Sequence, residues 1–230
     1  MIIKHGDYVM KLNDQTLTVL KNFSEINQSL EFKSGNILRT VSPQKNILAT
    51  AEVPDAFPSN FSVYELNRFL GVHSLMNDPE LTFNDTHLTF SDGQRNSDYV
   101  YCETSMFVTP PDKDIAFPEP EIRFDLTETD LESVMKASSV LSTPEIAVIG
   151  DGSMMKMVTL DTANTTSDTF SVELGNTSTT FRMVFKTENF KMMKGNYDVA
   201  ISSKGISHFK LKGGNLQYWI ATEATSNYGG

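Results

Sequence analysis

Four times along this chain a polar cap is followed by one amphipathic stretch and then three short strand-like runs, with a tight turn between the first two. The caps are Asn13, Ser62, Thr127 and Thr187, and the turns are Ser34-Gly35, Asn84-Asp85, Asp151-Gly152 and Lys204-Gly205. Cap to turn spans 22 residues (13 to 35), 23 (62 to 85), 24 (127 to 151) and 18 (187 to 205). Repetition at this scale constrains the fold more than any composition figure, because it implies a modular, pseudo-symmetric architecture. It points to a ring or scaffold built from copies, and away from a single catalytic cleft.

The first unit predicts a helix near Asn13–Gln28 with Leu17, Leu20, Phe23 and Ile26 as its buried stripe. Strands follow at Leu30–Lys33, Asn36–Val41 and Asn46–Glu52, with Ser34-Gly35-Asn36 as hairpin chemistry. The second opens on Ser62-Val63-Tyr64-Glu65, a capping-box pattern. Leu66, Phe69, Leu70 and His73 or Met76 form its stripe, before strands at Glu80–Phe83, His87–Phe90 and Asp98–Cys102. The third has a strand at Glu121–Leu126, a helix capped by Thr127 with Leu131, Val134, Ala137, Ser138 and Leu141 inward, and strands at Glu145–Ile149, Ser153–Thr159 and Asp168–Leu174. The fourth has a strand at Thr180–Lys186, a short helix from Thr187 to Gly195, and strands at Tyr197–Ser202, Ile206–Leu211 and Leu216–Thr222. Ser226–Gly230 reads as a loose tail.

Between the second and third units, Thr109–Pro120 holds four prolines in twelve residues. Such a segment resists both helix and ladder pairing and reads as an extended connector. The expected organisation is therefore an N-terminal domain (1–108), a connector (109–120) and a C-terminal domain (121–230), an α+β fold with two β-α-β-β-β units per domain. The helices are too few to enclose a core, so each stripe must pack on antiparallel sheet.

Catalytic patterns are nearly absent. His5, His73, His87 and His208 are scattered, without the spacing of metal ligands. Cys102, the single cysteine, lies in an alternating strand and reads as a structural thiol; one cysteine excludes an intrachain disulfide and favours an intracellular setting. Gly150-Asp151-Gly152 and Gly213-Gly214 are turn chemistry, and Met154, Met155, Met157, Met192 and Met193 read as core fillers. No apolar run approaches the roughly 20 residues that span a bilayer.

Charge is more informative. The formal net charge is −10, which argues against a protein that coats nucleic acid, since phosphate affinity comes from Lys and Arg. Along the amphipathic stretches acids come early (Asp14, Glu65, Glu128, Asp130, Glu188) and cations late (Lys21, Arg68, Lys136, Lys191, Lys194). That order complements the helix dipole or makes a solvated face. It equally makes a locally positive surface on an acidic body. Separately, Ile115 and Phe117 on the connector, with Trp219 and Ile220 on the last strand, form either a docking pocket for partner peptides or ordinary core packing.

The residues also resemble a family. Met10-Lys11-Leu12, Leu20-Lys21-Asn22-Phe23, Lys33-Ser34-Gly35, Tyr64–Gly71 and Ser74–Asp78, then Asp130-Leu131, Leu174-Gly175, Asn189–Met192 and Gly195-Asn196-Tyr197, resemble the DNA polymerase sliding clamps of T-even-type bacteriophages. The resemblance runs from about Met10 to Ala224. It implies a closed homotrimeric ring with helices lining the hole and sheets outside. An ATP-driven clamp loader opens such a ring onto duplex DNA, where it tethers the replicative polymerase and serves late-transcription factors. The setting is the cytoplasm of an infected bacterium, with no cofactor and no catalytic residues. Lys11, Lys21, Lys136 and Lys191 match positions that are basic in the family; Arg68 departs from a small residue there. With Lys194, they are the expected DNA-facing set. Met10 matches the family's first residue, so Met1–Val9 is an extension or Met10 an alternative start. The rival reading, a β-rich oligomeric phage structural protein without DNA contact, stands beside it.

Overall fold

The computed structural model describes residues 8–113 and 115–229; His5 and most of the expected extension lie outside them. The chain divides into two compact units between Asp112 and Lys113.

The first unit runs β1 (Val9–Met10), α1 (Asp14–Ile26), β2 (Leu30–Phe32), β3 (Gly35–Val41), β4 (Ile47–Phe57), β5 (Phe61–Val63), α2 (Leu66–Ser74), β6 (Glu80–Phe83), β7 (His87–Ser91) and β8 (Asn96–Val100). Asn13 caps α1 through its side chain, which accepts from the Gln15 N–H at 2.9 Å. The buried stripe is Thr16, Val19, Leu20, Phe23 and Ile26; Leu17 is only half-buried. The stripe seats α1 against β4 and α2. Phe32 stacks on Phe61 at 4.4 Å and sits 4.8 Å from Phe57, and Phe69 of α2 meets Phe90 edge-on. Burying each such ring contributes about 1.5–3 kcal/mol.

Three expectations for this unit are corrected. Ser34-Gly35 does not join a hairpin: β2 pairs with β5 and β3 with β4, all antiparallel. Gly35, at φ +113°, instead begins a bulged ladder after the chain has changed partners. Nor does Ser62 cap α2. It lies inside β5, where the ladder keeps it extended between buried Phe61 and Val63, and its hydroxyl meets Thr104 at 2.8 Å. Glu65 occupies the cap position without a side-chain capping bond. β8 begins at Asn96, two residues before the expected strand, because the Asp92-to-Arg95 turn fixes the register with Leu88 opposite Tyr99. The Asn84-Asp85 turn between β6 and β7 forms as expected.

The second unit runs β9 (Ile122–Leu126), α3 (Glu128–Leu141), β10 (Glu145–Asp151), β11 (Met154–Leu160), β12 (Phe170–Asn176), β13 (Thr180–Lys186), β14 (Tyr197–Ser202), β15 (Ile206–Leu211), β16 (Leu216–Ala221) and β17 (Asn227–Tyr228). One set of strands orders as β12-β11-β10-β13-β17 and another as β16-β15-β14-β9. Thr127 caps α3, accepting from the Asp130 N–H at 3.1 Å, and Leu131, Val134 and Ser138 pack onto β10, β11 and β12. Gly152 (φ +88°) and Gly205 (φ +91°) make the expected turns. Gly150 is required by space: a Cβ there would lie 2.5 Å from the Phe181 ring and 2.7 Å from the Thr179 carbonyl oxygen.

The fourth expected helix does not form. Thr187–Asn189 is a single 3₁₀ turn, and the Thr187 hydroxyl contacts Ser138 and the Thr143 carbonyl rather than capping. Beyond it the Met193 N–H donates to the Tyr218 hydroxyl at 3.1 Å, and the Tyr197 hydroxyl donates to the Met193 carbonyl. Two buried tyrosines thus satisfy main-chain groups that a helix would have used. Nor is the tail loose. Asn227 and Tyr228 pair with β13, and the Ser226 hydroxyl accepts from the Val184 N–H at 2.9 Å. β12 starts at Phe170, two residues late, after a loop closed by Asp161 and Asn164.

Candidate nucleic-acid interface

Lys21, Arg68 and Lys136 lie on the exposed faces of α1, α2 and α3, each opposite its helix's buried stripe. Their positions along the helices bear on why they are there. α1 and α3 carry no basic residue in the last turn, and Arg68 sits in the first turn of α2, where a cation is disfavoured by the helix dipole. Dipole complementarity therefore does not account for the cations. Arg68 makes a loose surface pair with Glu65, at 3.5 Å, of a kind that contributes little.

The other three expected cations are placed differently. Lys11 precedes α1 and pairs with Asp78 at 2.7 Å, a hydrogen bond that holds its ammonium above the usual range. Lys194 pairs with Glu132 of α3 at 2.5 Å, and its ammonium is likewise raised. Lys191 is half-buried on the irregular segment after the 3₁₀ turn, not on a helix. Three of the six thus lie on helix faces, and three do not.

The expected docking residues also separate. Ile220 is fully buried; strand alternation turns it to the core face, so it cannot line a surface pocket, and that assignment is corrected. Trp219 points to the opposite face and stacks on His208 at 4.9 Å with the rings 15° apart. Phe117 lies 5.6 Å from the same imidazole, and Ile115 is half-buried on the same connector. Strand register sets Trp219 opposite His208, His208 opposite Ala200, and Ala200 opposite Arg123. An open groove of about 580 Å³ runs beside this row, lined by Arg123, Asp125, Asp198, Ala200, His208 and Lys210. Lys212 bridges Asp125 (2.8 Å) and Asp198 (3.1 Å), lowering the Asp125 carboxyl. Burial pushes the His208 ring down, against its bond to Gln217 at 2.9 Å, so the ring presents a neutral aromatic face. His208 and Arg123 escaped sequence reasoning; their signal was the alternation along β9 and β15 that also exposes Lys210.

The structure also locates two edge strands. β8 and β12 each end their ladder order, and neither contains a buried residue. Val100 is 70% exposed and Phe170 38%. Cys102 is partly buried, and burial raises its thiol; its N–H donates to the Ser62 carbonyl at 3.0 Å, which fits a structural role. Among the described residues, no helix is long and apolar enough to cross a membrane.

Comparison with known proteins gives a consistent picture. Residues 11–104 match the family model "DNA polymerase processivity factor", and residues 123–224 match "gp45 sliding clamp, C terminal". The sliding clamp of Vibrio phage KVP40 is 33% identical over 223 residues, covering 94% of this chain and all of that protein. That of Enterobacteria phage T4 is 29% identical over 227 residues, covering 95% and 99%. Among solved structures, A. fulgidus PCNA, with the C-terminal region of FEN-1 bound to it, superposes with a TM-score of 0.69 at 14% identity over 95% of this chain and 98% of that one; that likeness speaks to fold alone.

Proposed function

Because the chain belongs to the sliding-clamp family of DNA polymerase processivity factors, we propose that it closes as a homotrimeric ring around duplex DNA, with helix faces inward and sheets outward. The observation that carries this reading is the set of exposed cations on three separate helices of a chain whose net charge is −10. A ring holds DNA by topology, so strong phosphate binding is unnecessary and would impede sliding. Only the hole need be positive.

Lys21, Arg68 and Lys136 are assigned to duplex phosphates, with Lys11, Lys191 and Lys194 as secondary contacts that must first leave their present environments. The boundaries 1–108, 109–120 and 121–230 serve as domain, connector and domain. The edges of β8 and β12 are assigned to the junction between copies, since pairing one with the other covers both. The groove beside Phe117, His208 and Trp219 is assigned to a docking segment of the replicative polymerase. An ATP-driven loader and late-transcription factors complete the partner set, and no catalytic residue is assigned.

The test is retention and salt dependence. The clamp should stay on circular DNA and run off linear ends. Lys21→Ala, Arg68→Ala and Lys136→Ala together should lower loading while the oligomer stays intact. The log–log salt slope of DNA affinity should flatten by up to about 0.9 for each cation that neutralises a phosphate. Unchanged loading with an unchanged slope would reduce these residues to a solvated face. A protein that never remains on circular DNA would favour the structural-protein reading.

A further inference from the structure

Building on the docking assignment above, we propose that Phe117 is the built-in occupant of that surface. The connector seats its own aromatic ring where an aromatic side chain on an extended polymerase segment binds, and docking displaces it. The contact is an intramolecular competitor, so the partner's affinity depends on how readily the connector lets go.

Three observations carry this. First, His208 contacts two rings, Trp219 at 4.9 Å and Phe117 at 5.6 Å. Trp219 is fixed in register on β16, whereas Phe117 comes from a segment outside any ladder. Second, among the described residues 115–120 neither donate nor accept a main-chain hydrogen bond, and Pro118 and Pro120 have no N–H to give. The tilted Phe117–His208 ring contact and a surface pair between Glu119 and Arg123 at 3.4 Å are side-chain contacts, so the connector can lift without breaking sheet structure. Third, the Trp219 Nε1–H is buried without an acceptor. The self-packed arrangement leaves a polar group unsatisfied, a defect a docked main-chain carbonyl can repair.

An aromatic contact of this kind corresponds to about two- to tenfold in an equilibrium constant, and a site occupied from within loses apparent affinity in proportion to the occupied fraction. Phe117→Ala in the full-length protein should therefore tighten binding of the cognate replicative polymerase by about two- to tenfold, and Phe117→Leu by less. Anisotropy of the labelled polymerase reads this directly. Trp219, the single tryptophan, reports the free protein: acrylamide should quench its fluorescence more in Phe117→Ala than in the parent. Trp219→Ala should weaken polymerase binding by about tenfold or more, as loss of a buried aromatic anchor does. If Trp219→Ala weakens binding but Phe117→Ala leaves it unchanged or also weakens it, Phe117 lines the site instead of occupying it, and the proposal falls while the docking assignment stands. If Trp219→Ala leaves the polymerase bound as tightly as before, both fall.

Discussion

Replacing Asn27 with alanine should destabilise the first unit and loosen the start of the connector together. Asn27 follows α1 and is 5% exposed. Its Nδ2 donates to the Val41 carbonyl at 2.8 Å and to the Val108 carbonyl at 3.2 Å, and its Oδ1 accepts from the Ser29 N–H at 3.0 Å. The backbone is extended (φ −142°, ψ 131°), so alanine introduces no strain, and the helix-ending bond to Phe23 survives. What is lost is satisfaction of the Val41 carbonyl and the Ser29 N–H, both buried, and of the partly buried Val108 carbonyl. At about 1–3 kcal/mol for each of the two fully buried groups left unpaired, the expected cost is about 2–6 kcal/mol, a large part of the roughly 5–15 kcal/mol that holds a domain folded. With a urea m-value of about 2 kcal/mol/M, the midpoint should fall by roughly 1–3 M at unchanged m. Hydrogen exchange resolved by peptide should quicken first around Val108, because one side chain bridges that residue to the β3 end. Asn27→Asp places a carboxylate against two carbonyl oxygens. It should cost more at pH 7, with the deficit shrinking as the pH falls and the buried acid protonates. A midpoint within about 0.3 M of the parent, or destabilisation without faster exchange near Val108, would refute this reasoning.

Gly150→Ala should destabilise the second unit by about 1–3 kcal/mol through overpacking against Phe181 and the Thr179 carbonyl, seen as a lower melting temperature; no change would mean that the β10–β13 pair shifts freely. Since the Tyr101 N–H bonds inward to Thr86, ladder alternation turns the Val100 N–H outward. Val100→Pro should therefore leave each chain folded but reduce the solution mass to that of one chain, whereas a persisting trimer would move the junction elsewhere. Asp92 is held down to about 2, first by the backbone N–H of Arg95 and also by its side chain. Because its folded value lies below the usual 3.8, its stabilising effect is complete above about pH 4 and disappears as the pH falls toward 2. Asp92→Asn should flatten the pH dependence of the urea midpoint in that window, and an unchanged slope would remove Asp92 from the account. Thr127→Ala should cost about 1 kcal/mol through loss of the α3 cap, measurable as a shift in urea midpoint.

The sequence by itself determined the helices α1 and α3, most of the strands and the turns at Asn84, Gly152 and Gly205. These are local matters: a cap, a 3.6-residue stripe, alternation, or a residue that accepts positive φ decides them within a few positions. It also determined family membership, since the order of short motifs survives along nearly the whole chain. It misled where a distant partner outbid a local preference. Ser62 carries a sound capping pattern, yet Leu30–Phe32 claims it for a ladder. The polar and glycine residues around Gly35 suit a hairpin, yet β2 and β3 take different partners. The Thr187 segment has a plausible cap, yet the hydroxyls of Tyr197 and Tyr218 replace its helical hydrogen bonds from across the unit. Ile220 and Trp219 are neighbours in sequence and face opposite ways, and only the pleat decides which one can meet a partner. Side-chain chemistry is written one residue at a time, but strand pairing and ring contacts join residues far apart in the chain, such as Leu30 with Val63 and Phe117 with His208. Their free energy exists only once the chain has closed on itself.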